Sequence, residues 1–373
     1  MSFVKSTSKH NSLTIGIVAL VNAPVINGLS QYIIHLYRAL KREFADQTFK
    51  LITNKEFSSF FSNYLDQEDL ILVDIPHHPR WIMRPFYFFW QNYFGGEFLK
   101  DHGIDVLHIP NAIPLLKIPV IPTVVTIHDM AEFRGYRHSF LHNKFRKWVT
   151  RLSAVTADHI LTVSDFSRKE IFHFLDIEES KVSVSYPGNP LTDDRYETEK
   201  EIPVKNEFLF LAGGGSNKNQ QNVIHAFLKF NKRNKFKLNV ITNSEKLCND
   251  PNIHWYQHVD EEKLIRLYQR SVALLYPSLY EGFGFPILEA MSLGVPVITS
   301  NRASMPEVVQ DAGILIDPEN QEQLINAMID MVKNERERTE LIRKGSQRVC
   351  KFTWADTAHK TMRAYEKVVE MQR

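Results

Sequence analysis

Cysteine is nearly absent. The only two in 373 residues, Cys248 and Cys350, stand far apart and in no C-x-x-C arrangement. This excludes a disulfide framework and a cysteine zinc site, and it fits a reducing cytoplasm. An excess of charge is also lacking: 45 Lys and Arg against 43 Asp and Glu leave a formal net charge of +2. So small an excess does not build the field of a general nucleic-acid binder, and no nucleic-acid partner is expected. No uninterrupted apolar run reaches the roughly 18 residues that a spanning helix requires. Leu13 to Val21, behind Lys5, Lys9 and His10, has the look of a signal peptide. Pro24 directly after the weak Val21-Asn22-Ala23 cleavage site argues against processing, and the run reads as a strand. Short solenoid repeats, low-complexity tracts and a D-x-D pair at a strand end are absent as well.

What is present is a composition of 43% hydrophobic and 24% charged residues, close to the globular average, in a chain longer than one core comfortably serves. Short, often β-branched runs predict strands at Leu13 to Val21, Leu70 to Val73, Asp105 to Ile109, Thr123 to Ile127 and His159 to Val163. Apolar residues recur at three and four near Leu29 to Glu43, Arg84 to Asp101 and Ser139 to Ala157, which predicts helices between several of these strands. Such alternation means parallel sheet with crossover helices on both faces. The pattern restarts with Phe208 to Ala212, Lys237 to Ile241, Val272 to Tyr276, Val295 to Thr299 and Gly313 to Ile316. Pro187-Gly188-Asn189-Pro190 and the polar stretch Leu191 to Asn206 read as a linker, so the boundary is placed near residue 190. A final amphipathic helix is expected from Trp354, with Thr353 as its N-cap. Two such α/β halves would enclose a bipartite ligand between the carboxyl ends of their strands.

The chemistry concentrates in one segment. Tyr276-Pro277-Ser278 ends a strand, Glu281-Gly282-Phe283-Gly284-Phe285 forms a loop, and Pro286 to Leu293 reads as a helix closed by Gly294. The first turn of that helix offers N–H groups and a partial positive charge to a phosphate, with Phe285, Ile287 and Leu288 as donors. Gly282 and Gly284 would let the backbone approach closely. Glu289, one turn in, and Glu281 each accept hydrogen bonds only, which suits the vicinal hydroxyls of a ribose or hexose.

The run from Tyr276 to Met291, with Gly294 to Ser300 and Ser304-Met305-Pro306-Glu307-Val308 after it, resembles the two-glutamate signature of glycosyltransferase family 4. The resemblance implies the GT-B fold: two Rossmann-like domains facing across a cleft, an acceptor-side domain at 1–190 and a nucleotide-sugar domain at 191–353. The helix at 354–373 would return to the first. It also implies a retaining enzyme in which Glu289 holds the donor ribose and Glu281 lies against the transferred sugar. His128-Asp129, after the strand Thr123 to Ile127, matches the family's sugar-contacting strand end. His128 is then a catalytic candidate beside Glu281, and Asp129 orients the loop. In Gly213-Gly214-Gly215-Ser216-Asn217-Lys218, Gly214 and Lys218 match the basic loop that neutralises the donor diphosphate, but glycines and Asn217 stand where the family usually adds an arginine. Arg302, or the glycine N–H groups, could take its place. In Asn27-Gly28-Leu29-Ser30, Gly28 either admits the backbone to a phosphate or simply opens a helix.

The expected reaction moves a hexose, mannose-type favoured, from a GDP-, UDP- or dTDP-linked donor to a saccharide or lipid-linked saccharide in surface polysaccharide synthesis. Neither a cofactor nor a metal is expected. A non-catalytic nucleotide-sugar-binding subunit and a GT-B phosphorylase or epimerase are the alternatives; a dinucleotide oxidoreductase is disfavoured because Asn22 to Gln31 lacks G-x-G-x-x-G. Peripheral contact with the inner face of a membrane would explain the aromatic run Trp81 to Trp90 with Tyr93 and Phe94, beside Arg80 and Arg84. It would also explain the basic cluster Arg134, Arg137, Lys144, Arg146, Lys147 and Arg151, opposed nearby only by Glu132. Core packing for the first and a solvated helix face for the second are the plainer readings.

Overall fold

The computed structural model describes residues 12–20, 27–74, 95–112, 121–136, 140–191, 206–213, 215–232 and 235–372. The aromatic run at 81–94, Arg137, Gly214 and most of the expected linker lie outside them. Seven strands form the first sheet: β1 (Thr14–Val18), β2 (Thr48–Asn54), β3 (Leu70–Val73), β4 (Val106–Ile109), β5 (Thr123–Ile127), β6 (His159–Thr162) and β7 (Val182–Val184). Their order is β3-β2-β1-β4-β5-β6-β7. Six form the second: β8 (Glu207–Gly213), β9 (Lys237–Thr242), β10 (Ile253–Tyr256), β11 (Ser271–Tyr276), β12 (Val297–Ser300) and β13 (Ile314–Ile316), in the order β10-β9-β8-β11-β12-β13. Every pairing described is parallel.

Strands such as β5 and β11 are buried along their whole length, as strands covered on both faces must be. That is why they read as continuous apolar runs. Strands β2, β7 and β10 escaped the sequence reading. Lys50 interrupts the apolar pattern of β2, Ser183 that of β7 and His254 that of β10. In each sheet the strand order reverses beside the first strand, at β1/β4 and at β8/β11, which marks the place where ligands collect in open α/β sheets.

Two compact units emerge: the described residues up to Thr126 with Val149–Leu161 and those from Ala358 onwards, and Ile127–Trp148 with Thr162–Thr357. The segment holding His128 thus belongs with the second. In the first unit a fully buried His108 lends Nε2 to Thr126 Oγ1 at 2.8 Å and Nδ1 to the Tyr365 hydroxyl at 2.7 Å, tying the end of the chain to β4 and β5. In the second, Phe208, Phe227, Leu238, Val240 and Leu275 are among the core residues. Pro187 to Pro190, expected as a loose linker, is held there: Asn189 N–H donates to Phe352 O at 2.9 Å and Trp354 Nε1 to Asn189 O at 2.8 Å. A side chain at Gly188 would stand 2.4 Å from the Trp354 nitrogen, so the two strands of backbone touch. The final helix spans Trp354–Glu370, and Thr353 Oγ1 accepts the Asp356 N–H at 3.1 Å, as an N-cap does.

Tyr365→Phe withdraws a hydroxyl from buried His108 and should cost about 1–3 kcal/mol. It is expected to lower the urea midpoint at unchanged slope; an unmoved midpoint would mean the bond contributes nothing.

Candidate active site

Strands β8 and β11 are neighbours, so the loops leaving their carboxyl ends lie side by side. After β8 the chain turns at Gly213, φ +53°, into a single 3-10 turn, Ser216–Lys218. After β11 it runs through Pro277 to Gly284 before entering the helix Phe285–Ser292. Asparagines stitch the two: Leu279 N–H donates to Asn217 O at 2.7 Å, Asn217 Nδ2 to Tyr280 O at 2.8 Å, and Asn219 Nδ2 to Pro277 O at 3.2 Å. Lys218 is therefore carried by that turn and not, as a helix-start residue would be, by the helix Gln220–Phe230.

The turn delivers the Lys218 ammonium to Glu281 Oε1 at 2.6 Å and to the Tyr276 hydroxyl at 2.8 Å. Both side chains of the ion pair are mostly buried. Burial works against the lysine charge, but the Glu281 carboxylate and Tyr276 outweigh it and hold the Lys218 pKa above the ordinary value. Glu289 is 6% exposed. Burial pushes its pKa up to about 7, held back by the Tyr268 hydroxyl, which donates to Oε2 at 2.7 Å. Tyr268 is the partner that the sequence reading missed. It lies 21 residues upstream, with no local signal to couple the two.

The two glycines stand where the backbone is crowded or left-handed. A side chain at Gly282 would meet His128 O at 2.2 Å and Asp129 Cβ at 2.8 Å, so this glycine admits the backbone that follows β5. Gly284 sits at φ +107°, the left-handed region that other residues avoid. Of the three N–H groups expected to face a phosphate, that of Ile287 is used within the turn, donating to Gly284 O at 3.0 Å. Asp129 Oδ1 accepts the Ala131 N–H at 2.9 Å, and Phe283 is buried among Tyr186, Phe285 and Phe352. Arg302, considered for the missing arginine, is engaged by Asp317 and Glu319, each at 2.7 Å. Gly28 opens the helix Gly28–Glu43 in the first unit. There Asn27 already caps the N–H groups of Leu29 and Ser30, both at 3.0 Å. The structure thus gathers Lys218, Glu281, Gly282, Gly284, Glu289 and the His128 backbone in one unit. Among the described residues no group of three or more His, Cys, Asp or Glu could hold a metal ion.

Two doubly wound parallel sheets in series, with a basic loop and an acidic loop leaving adjacent strands of the second, are the architecture of a GT-B glycosyltransferase. The solved structure of sucrose-phosphate synthase from Thermosynechococcus elongatus shares the fold with a TM-score of 0.73 at 16% identity, over 96% of this chain and 100% of that one. Residues 26–192 match the family model described as Glycosyltransferase Family 4, and residues 194–348 that of Glycosyl transferases group 1. The chain belongs to this family of glycosyltransferases. Among its relatives are O-antigen chain mannosyltransferase B of Escherichia coli and O-antigen chain mannosyltransferase RfbU of Salmonella typhimurium. The first is 27% identical over 72% of this chain and 76% of that protein; the second is 28% identical over 57% and 60%.

The raised pKa of Glu289 sets a pH dependence. Between its ordinary value of 4.5 and about 7 the folded chain keeps a proton that the unfolded chain has released. The associated stability is full below pH 4.5 and declines to its floor above about 7. It amounts to roughly 3 kcal/mol. Glu289→Gln should flatten that decline in urea midpoints measured at about pH 5 and about pH 8; equal declines in both proteins would mean that Glu289 titrates normally.

Proposed function

We propose that this chain transfers a hexose, mannose in the first instance, from a nucleoside-diphosphate sugar with retention at the anomeric carbon. The acceptor is a saccharide or lipid-linked saccharide of a surface polysaccharide. The observation that carries the reading is the part-buried Lys218–Glu281 pair at 2.6 Å, formed by loops leaving neighbouring strands at a topological switch point. The names of the relatives supply the choice of mannose and of polysaccharide.

In this reading each member has a distinct task. Lys218, an ammonium held charged by Glu281 and Tyr276, stabilises the negative charge that grows on the departing diphosphate. Fixed in place before the donor arrives, it costs no reorganisation during the reaction. The N–H groups of Phe285 and Leu288, with Gly214, complete the diphosphate site. Glu281 keeps Lys218 on Oε1 and accepts hydroxyls of the transferred sugar with its other oxygen, and His128 meets that sugar from the loop packed on Gly282. Glu289 accepts the ribose hydroxyls, which requires the ionised form. Nucleotide affinity should therefore weaken as pH falls through about 7. Charge stabilisation rests on protein groups, so neither a metal nor a cofactor enters the scheme.

A membrane-facing surface belongs to the same proposal. On the helix Phe140–Thr156, Phe145 and Trp148 are 45% and 48% exposed, their ring centroids 5.9 Å apart, with Lys144 and Arg151 exposed on the same helix. Arg134 drops out of the expected basic cluster, because Glu170 takes it in a two-pronged pair at 2.7 and 2.9 Å. Glu132 is therefore not the cluster's sole acidic neighbour. No helix among the described residues is long and apolar enough to cross a membrane.

A thermal-shift panel of GDP, UDP, dTDP and their sugars should single out one base, and the matching sugar should be slowly hydrolysed. Lys218→Ala should reduce that shift and lower hydrolysis at least tenfold. Binding without hydrolysis or transfer would mean a non-catalytic subunit, and no shift with any nucleotide would overturn the reading. The chain should float with liposomes containing anionic lipid at low salt, and Trp148→Ala with Lys144→Ala should abolish flotation; no flotation of the wild type would remove the membrane contact.

A further inference from the structure

The loop bearing Glu281 is gripped by its own carbonyls. Ser304 Oγ donates to Glu281 O at 3.0 Å and to Phe283 O at 2.9 Å. From another direction Ser164 Oγ donates to Gly282 O at 2.6 Å. Ser167 Oγ lies 3.0 Å from His128 O and 3.3 Å from Gly282 O. Three consecutive carbonyls, and that of His128, are thus held by serines from two elements: the residue preceding the helix Met305–Val309, and the first turn of the helix Asp165–Phe174. Ser164 and Ser167 are fully buried, and Ser164 is also the N-cap of its helix, accepting the Ser167 N–H at 3.0 Å.

What joins those two elements is Glu307. Its Oε1 accepts the Asp165 N–H at 2.6 Å and its Oε2 the Phe166 N–H at 3.0 Å. One carboxylate from a neighbouring helix therefore satisfies the first two free donors of Asp165–Phe174, where a negative charge also suits the helix dipole. The Tyr186 hydroxyl donates to the same Oε1 and stands 2.9 Å from Asp165 Oδ2. Arg348 fixes the short helix from its other end, Nε to Val308 O and Nη2 to Glu307 O, both at 2.8 Å. Its guanidinium lies 4.7 Å from the Phe352 ring centroid.

We propose that Glu307 is a positioning residue for the transfer reaction: by locking Ser304 to the Ser164–Ser167 turn it fixes the backbone of Glu281, Gly282 and His128. This rests on the functional reading above, in which Glu281 and His128 meet the transferred sugar. The asparagines beside Lys218 bond to Pro277 O and Tyr280 O, which precede the three carbonyls that the serines hold. Loss of the brace should therefore spare donor binding and disturb the chemical step.

The test is Glu307→Gln in the full chain, which keeps the shape but turns an amide N–H towards one of the two backbone donors. With GDP-mannose as donor, kcat for GDP release should fall at least tenfold while KM stays within about twofold. Hydrogen exchange should rise in the peptide 279–287 and in 164–168. Combining Glu307→Gln with Ser164→Ala should lower kcat little further than the stronger single change, because both break one connection. Unchanged kcat, a KM that rises in step with the loss of kcat, multiplicative effects in the double variant, or unchanged exchange at 279–287 would each overturn the proposal. If the wild type releases no GDP from GDP-mannose, the choice of donor fails, and the exchange experiment still decides whether Glu307 holds the loop.

Discussion

A residue with any side chain at position 282 would place its Cβ 2.2 Å from the carbonyl oxygen of His128, closer than any real contact allows. Around that bare approach of two backbones the second unit is organised. With the chains so near, Ser164 and Ser167 can reach Gly282 O, and Ser167 can reach His128 O as well. The Tyr280 hydroxyl can accept the Met130 N–H at 3.1 Å, and Tyr136 can stack on Tyr280. Each of these bonds lies inside a packed region, where an unpaired polar group costs more than the bond returns in water. The arrangement is for that reason close to all-or-none.

Charge is distributed on this scaffold with a clear division. Lys218, Glu281 and Tyr276 form a part-buried triad that keeps a cation where two loops meet. Glu289, one turn into the helix, accepts from the Tyr268 hydroxyl, and burial pushes its pKa up to about 7. A short distance in sequence separates a carboxylate paired with a lysine from one whose charge burial disfavours. The difference comes from which partners the strands β8 and β11 bring within reach. Arg302 illustrates the converse: a free cation by sequence, it is committed to Asp317 and Glu319 once the chain folds.

Much of the architecture could be read from the chain. Strands buried on both faces, such as β5, β11 and β12, announce themselves as apolar runs, and the amphipathic helices Gly28–Glu43 and Phe140–Thr156 follow from a period of three to four. Strands β2, β7 and β10 were hidden because Lys50, Ser183 and His254 interrupt their apolar runs. The segment Tyr276 to Met291 marked the site because residues close in sequence supply both its glutamates and its helix entrance.

Sequence alone determined the alternation that dictates parallel sheets, the presence of the motif helix, expected at Pro286 to Leu293 and found at Phe285–Ser292, and Lys218 and Glu281 as candidates, since each is a property of local order along the chain. Tertiary structure alone decided their partners: Tyr268 for Glu289, Gly282 against His128, and Glu307 on the N–H groups of Asp165 and Phe166. Those pairs are separated by 21, 154 and more than 140 residues. No local pattern encodes a contact that arises only when crossover connections bring distant strand ends to the same edge of a sheet.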